Sequence, residues 1–213
     1  MKFTTLQEIV GKEPVFETGL LLAGQVDPGD VRRQLSRLVA SGHLYQLRRG
    51  LYSLSPPFQK VKPHPFLVAN RMVRASYVSR QSALAYYGII PEHVPVVTSV
   101  TTSRPGRWET PLGSFEYRHI KPGFFHTYGT VELSEGQTAL LATPEKSLLD
   151  LLYLQPDSDS REYLNELRLE NMEELDLDSL GRLAEESGRP KLRRAARLIK
   201  EKARDEAEEY EPL

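Results

Sequence analysis

Five arginines crowd into residues 32–49: Arg32, Arg33, Arg37, Arg48 and Arg49. A guanidinium aims a rigid fork of N–H donors at a phosphate or at the O6/N7 edge of guanine, so arginines gathered on one surface suit nucleic acid. Three of the five belong to DPGDVRRQLSRLVASG, residues 27–42. There Val31, Leu35, Leu38 and Val39 fall at i, i+4, i+7 and i+8, which predicts a helix with one apolar stripe. Its other face carries Gly29, Arg32, Arg33, Ser36 and Arg37. Small residues let a backbone approach a groove while the arginines reach bases or phosphates. The same charges on a module that binds only protein are plain solvated surface, and that alternative stays open at this point.

Other reactive groupings are sparse. His43, His64, His93, His119 and His126 are scattered, with no i, i+4 pair to seat zinc, and the chain has no cysteine. Neither GxxxxGK[ST] nor GxSxG occurs. Glu145-Lys146 reads as a first-turn carboxylate favoured by the helix dipole, followed by a solvent-facing lysine. Asp150 stands at i+5 from Glu145, off its face. No catalytic residue, metal ligand or cofactor is therefore expected, and a nuclease-related enzyme is the weakest of the alternatives. Arg104, Arg107 and Trp108 sit in RPGRW, which reads as a loop. Its indole is expected to anchor in a core, leaving the two arginines for nucleic acid or a protein partner.

The elements that must hold the arginines follow from local signals. Asp27 is placed to cap the helix, Pro28 suits its first position and Gly42 its left-handed end. Before it, Val15–Gly24 reads as a short apolar helix, with Gly24–Asp27 as the turn between the two. After it, His43–Leu47 and Leu51–Leu54 flank Arg48-Arg49-Gly50, a β-hairpin with a basic tip. Helix, turn, helix and basic hairpin together predict a winged helix-turn-helix over residues 1–57, closed by Ser55-Pro56-Pro57.

Residues 58–155 predict a mixed α/β domain. Helices are expected over His64–Arg74, over Arg80–Tyr87 capped by Ser79, and over Pro144–Leu154 capped by Thr143. Strands are expected over Pro95–Thr102, Gly113–Ile120, Tyr128–Leu133 and Gln137–Ala142, with Arg104–Gly113 as a loop. Residues 156–213, rich in Leu, Glu and Arg, predict a helical extension. The fold class is thus α+β. Within the extension, Leu192, Ala195, Ala196, Ile199 and Ala203 form one stripe, backed by Arg193, Arg194, Arg197 and Lys200 among others. That basic side either pairs with the acidic stretch Glu162–Glu186 or meets a polyanion or protein partner.

The 213 residues carry 28 Lys/Arg and 29 Asp/Glu, a formal net charge of −1 that conceals segregation. Residues 1–60 hold 8 basic and 5 acidic side chains, residues 61–150 hold 9 and 7, and residues 151–213 hold 11 and 17. No stretch has the length and apolarity of a membrane span, and the start MKFTTLQEIV has no signal-peptide pattern. With cysteine absent, a reducing cytoplasm is the expected compartment.

Three segments in this order, RRGLYSLSPP, YVSRQSALAYYGI and TPEKSLLDLLYL, resemble the AbiEi family of type IV toxin–antitoxin antitoxins and transcriptional regulators. The resemblance spans about residues 5–155, and the helical tail is shorter than in the longer members. It implies a repressor that binds inverted repeats of double-stranded DNA in its own promoter and counteracts a nucleotidyltransferase-like toxin. It brings no catalytic residues. On matching positions it implies DNA contact by Arg32, Arg33, Arg37, Arg48 and Arg49, from a monomer in solution or a dimer on DNA.

Overall fold

A computed structural model of the chain describes residues 2–23 and 26–209, with side chains through residue 205. It is a mixed α+β structure with eight α-helices and two sheets among the described residues. Helix α1, Phe3–Val10, buries Leu6 and Val10 and stops at Gly11, whose φ of 60° favours glycine. Strand β1, Phe16–Glu17, leads into a 3-10 turn over Thr18–Leu22. Helix α2, Pro28–Ala40, precedes the hairpin of β2, Leu44–Arg48, and β3, Leu51–Leu54. These strands form a three-stranded antiparallel sheet in the order β1-β3-β2. Leu6, Val10, Phe16, Leu21, Val31, Leu35, Leu44 and Leu54 pack between the sheet and the helices.

The expected helix over Val15–Gly24 is reduced to the 3-10 turn over Thr18–Leu22, and Gly24 lies outside the described residues. Pairing takes the residues before it: Phe16 lies opposite Tyr52 in the sheet and stacks on it, and the Thr18 amide donates to the Gly50 carbonyl at 2.9 Å. Backbone hydrogen bonds to a neighbouring strand satisfy this segment better than an isolated short helix can. Gly24 and Gln25, half of the expected turn before α2, lie outside the described residues.

The larger sheet is built from β4, Ser76–Val78, β5, Val96–Thr101, β6, Gly106–Thr110, β7, Gly113–His119, β8, Tyr128–Glu132, and β9, Thr138–Ala142. Its order is β6-β7-β5-β4-β9-β8, with β5–β7 and β4–β9 parallel and the other pairs antiparallel. Strand periodicity sends neighbouring residues to opposite faces. Val78, Phe115, Tyr117 and Leu141 face one core, with helix α3, Pro65–Met72, and with Val15, Leu47 and Leu51 of the N-terminal unit. Tyr77, Val100 and Ala142 face a second core. There they meet α5, Pro144–Leu154, and the tail helices α6, Arg161–Glu166, α7, Leu177–Glu186, and α8, Pro190–Glu209. The segment Arg104–Gly113 is therefore not a loop. Residues 106–110 pair in unbroken register with β7, from Gly106 opposite Tyr117 to Thr110 opposite Gly113.

Two capping and polarity expectations fail for one reason. Helix α5 is covered on all sides from Glu145 to Leu152, so it has no solvent face for Lys146. Lys146 and Asp150 are both fully buried and ion-paired at i, i+4. Ser79, expected to cap helix α4, Gln81–Tyr86, instead donates its hydroxyl to Asp150 at 2.7 Å, and Tyr77 donates its own at 3.1 Å. A buried carboxylate has a stronger claim on a hydroxyl than a helix amide that has another acceptor. Arg80, with φ 60°, takes the cap position, and the Ser82 amide finds Thr98 Oγ1 at 3.0 Å. The Lys146 ammonium also stands 4.0 Å from the Phe124 ring centroid. Burial pushes the Asp150 carboxyl above its ordinary range and the Lys146 ammonium below its own, and their mutual attraction opposes both shifts.

The remaining caps follow expectation. Asp27 accepts from the Asp30 amide at 2.8 Å, Thr143 from Lys146 at 3.3 Å, and Gly42 adopts positive φ where its helix ends. Leu192, Ala195, Ala196 and Ile199 are buried along α8.

Lys146→Met alone leaves Asp150 buried without its counter-charge and is expected to cost about 3–5 kcal/mol of stability. Lys146→Met combined with Asp150→Leu is expected to recover most of that loss. Urea denaturation of wild type, single and double variants measures it; a double variant no better than the single contradicts the pairing.

Candidate nucleic-acid interface

Helix α2 owes its orientation to Val31 and Leu35, which are buried, and to Leu38 and Val39, which are half-buried against the small core. Turning that stripe inward leaves Gly29, Arg32, Arg33, Ser36 and Arg37 exposed. Arg33 pairs with Asp30 one turn back, but both side chains are mostly in solvent (71% and 61% exposed), so the pair holds the guanidinium only loosely. Arg32 and Arg37 have no ion pair or side-chain hydrogen bond among the described residues.

The hairpin tip divides its two arginines. Arg49 is exposed beside Gly50, whose φ of 81° turns the chain. Arg48 leans away toward the larger sheet: its guanidinium donates to the Met72 carbonyl and lies 5.8 Å above the Trp108 ring centroid. A bulge between Gln46 and Arg48 accompanies this redirection. Trp108 is half-buried. It rests edge-on against Tyr117, with ring centroids 5.2 Å apart, and packs on the core beneath the sheet. The expected anchoring role for the indole holds, although the indole lies on a strand and keeps one side open.

Around this contact lies a cleft of about 990 Å³. The hairpin tip contributes Arg48 and Arg49, the end of α3 and the turn after it contribute Arg71 and Arg74, and the approach to β6 and β6 itself contribute Arg104 and Arg107. Glu17 is the one acidic residue in the lining, and Arg74 grips it with bonds of 2.7 and 2.9 Å. Arg107 bonds Glu109 at 3.0 Å. The Glu109 carboxyl is held below its ordinary range, first by the Ser114 hydroxyl and then by Arg107. Arg49, Arg71 and Arg104 have no ion pair or side-chain hydrogen bond among the described residues.

The structure thus brings Arg48 and Arg49 together with Arg104 and Arg107, and not with Arg32, Arg33 or Arg37, which do not line the cleft. Arg71 and Arg74 escaped sequence reasoning. Their signal was two arginines three apart at a helix end, which is commonly explained by the helix dipole alone. The tail cations are elsewhere and mostly matched. Arg193 pairs with Glu185 at 2.9 Å, Arg194 with Asp159 at 2.7 Å and Lys200 with Asp178 at 3.1 Å. Arg197 is exposed without such a partner among the described residues.

No group of three or more metal-ligating side chains converges among the described residues. Lys146, Asp150 and Glu145 belong to the interior, the last accepting from the Asp176 amide at 2.9 Å. None of the described helices is long and apolar enough to cross a membrane. Comparison with protein-family models finds no match, and comparison with curated proteins finds none.

A Cβ on Gly106 would stand 2.6 Å from Cη2 of Trp108, closer than packing allows. Gly106→Ala is therefore expected to push the indole out from under Arg48. Because the chain has a single Trp, its emission reports this directly. A red shift on substitution is the expected result; unchanged emission contradicts the close packing.

Proposed function

We propose that residues 1–57 are a winged helix-turn-helix that binds double-stranded DNA, with α2 in the major groove and the hairpin as the wing. One observation carries the reading. The helix that buries Val31 and Leu35 offers its opposite face, with Arg32, Arg33 and Arg37 flanked by Gly29 and Ser36, fully to solvent. Arginines supply both phosphate contacts and bidentate guanine contacts, and the two small residues keep the helix thin enough to approach. Asp30 is the one acidic side chain in the first turn, and its exposed pair with Arg33 exchanges readily for a phosphate. Arg49 reaches flanking phosphates, while Arg48 braces the wing.

The resemblance to AbiEi antitoxins extends this to biology. The chain is a cytoplasmic repressor of its own operon, binding inverted repeats as a monomer that meets its second copy on DNA. It carries out no catalysis, and it counteracts a nucleotidyltransferase-like toxin through residues 58–155 or the tail. A winged-helix adaptor that binds only protein is the competing reading, and salt separates the two. Each neutralised phosphate adds about −0.9 to the slope of log affinity against log salt, whereas a protein-only adaptor shows no duplex binding to titrate.

Selection from a random duplex pool supplies the operator. On it, Arg37→Ala is expected to cost about 1–3 kcal/mol, measured by fluorescence anisotropy against salt. Affinity unchanged by both Arg32→Ala and Arg37→Ala removes α2 as the reading element.

A further inference from the structure

The arginine cleft shares Arg48 and Arg49 with the hairpin and is lined by no residue of α2, so the reading above leaves its other arginines without a role. Its composition is lopsided: six arginines face one glutamate. Like charges brought together without counter-charge repel, and a fold that keeps them has either a structural use for each or an anion to meet them. Structural uses account for three. Arg48 is committed to the Met72 carbonyl and the Trp108 face, Arg74 to Glu17, and Arg107 to Glu109. The helix dipole offers Arg71, at the end of α3, only a weak use.

What remains is Arg49, Arg71 and Arg104, one each from the hairpin, α3 and the loop before β6, all exposed. The hairpin and α3, which carry two of them, are joined. Arg48 ties the hairpin to the end of α3, and the core shared by Leu47, Leu51, Val68 and Met72 continues that tie underneath. Three guanidinium groups on three separate elements, around about 990 Å³ of space, fit an anion whose charges are spaced apart rather than a single compact one. A nucleic-acid backbone offers such a ladder of phosphates. Arg49 is also the tip of the proposed wing, so the duplex bound by α2 brings its flanking phosphates to this cleft.

We propose that the cleft is a second, sequence-independent clamp on the phosphodiester backbone that flanks the site read by α2. Arg71 and Arg104 are its dedicated contacts, and Arg49 is shared with the wing. The clamp rests on the DNA-binding reading and enlarges the footprint beyond the N-terminal unit.

The test compares the full chain with Arg71→Gln/Arg104→Gln on two duplexes, the minimal operator and the same operator extended by about one helical turn, ten base pairs, on each flank. Thermal midpoints establish that both proteins are folded alike. Wild type is expected to prefer the extended duplex, with a salt slope steeper by about two phosphates' worth; that advantage shrinks about tenfold between 50 and 200 mM salt. The variant is expected to bind both duplexes as wild type binds the minimal one, and Trp108 emission is expected to respond to the extended duplex only. Equal behaviour of variant and wild type on both duplexes overturns the clamp. So does a wild-type Trp108 response to inorganic phosphate or AMP with no gain from the flanks, which makes the cleft a small-anion site. Failure of the parent reading has a separate signature: the minimal operator is bound equally well after Arg32→Ala and after Arg37→Ala. A flank effect lost on Arg71→Gln/Arg104→Gln supports the clamp even then.

Discussion

The ion pair between Lys146 and Asp150 is the constraint around which the larger unit is arranged. Both side chains have no exposure, and a charge taken out of water costs several kcal/mol unless its partners are in place. Those partners come from separate elements. Asp150 receives the hydroxyls of Tyr77 and Ser79 on and after β4, and Lys146 faces the Phe124 ring. One end of α5 is thus keyed to the central strand in a single register. Because α5 lies between the sheet and the tail helices, the placement of α7 and α8 inherits that register. Apolar packing alone tolerates a sliding helix more readily than a buried charge does.

A second tie acts between the two sheets. The hairpin of the N-terminal unit does not hang in solvent, since Leu47 and Leu51 enter the core under α3 and Arg48 closes the seam above it. This costs the hairpin tip half of its basic charge as free surface. It also removes an independent swing of the N-terminal unit as the simplest way to vary the distance between α2 and the arginines of β6 and α3. Recognition surfaces built from two rigidly joined parts lose less conformational entropy on binding than jointed ones.

Much of the frame was legible because it rests on local rules. The stripe Val31–Leu35–Leu38–Val39, the caps at Asp27 and Thr143, the glycine stops and the β-branched run of β5 each follow from periodicity or capping within a few residues. Misreadings arise where a distant partner overrules local preference. Val15–Gly24 has an apolar run that reads as an α-helix, yet Tyr52 and Leu51 draw Phe16 and Glu17 into a sheet and leave only a 3-10 turn over Thr18–Leu22. RPGRW has the proline and glycine of a loop, yet β7 pairs with its second half. Ser79 has the makings of a cap, yet Asp150 lies nearer. Lys146 is the sharpest instance. Its i, i+4 spacing to Asp150 stood in the sequence, but only the covering of α5 on every side shows that the pair is interior. The candidate site was half legible for the same reason. Arginines on α2 announce themselves by periodicity, whereas the cleft joins residues 48–49, 71–74 and 104–107, which no local pattern connects.

Charge segregation completes the account. Residues 151–213 hold all of the acidic excess, and a near-neutral total suggests a molecule indifferent to polyanions. The tail, however, spends its own cations on its own carboxylates: Arg193 on Glu185, Arg194 on Asp159, Lys200 on Asp178, and Arg161 on Glu201. Exposed pairs of this kind add little stability, and they leave the tail's surplus of six carboxylates in place. Of the nine arginines of α2 and the cleft, Arg33, Arg74 and Arg107 are ion-paired among the described residues, and residues 1–150 carry 17 basic against 12 acidic side chains. Because salt screens charges beyond about a Debye length of 8–10 Å, the surface around α2 and the cleft acts by its own cationic excess and not by the net charge of the whole chain, whose sign is a poor guide to what that surface attracts.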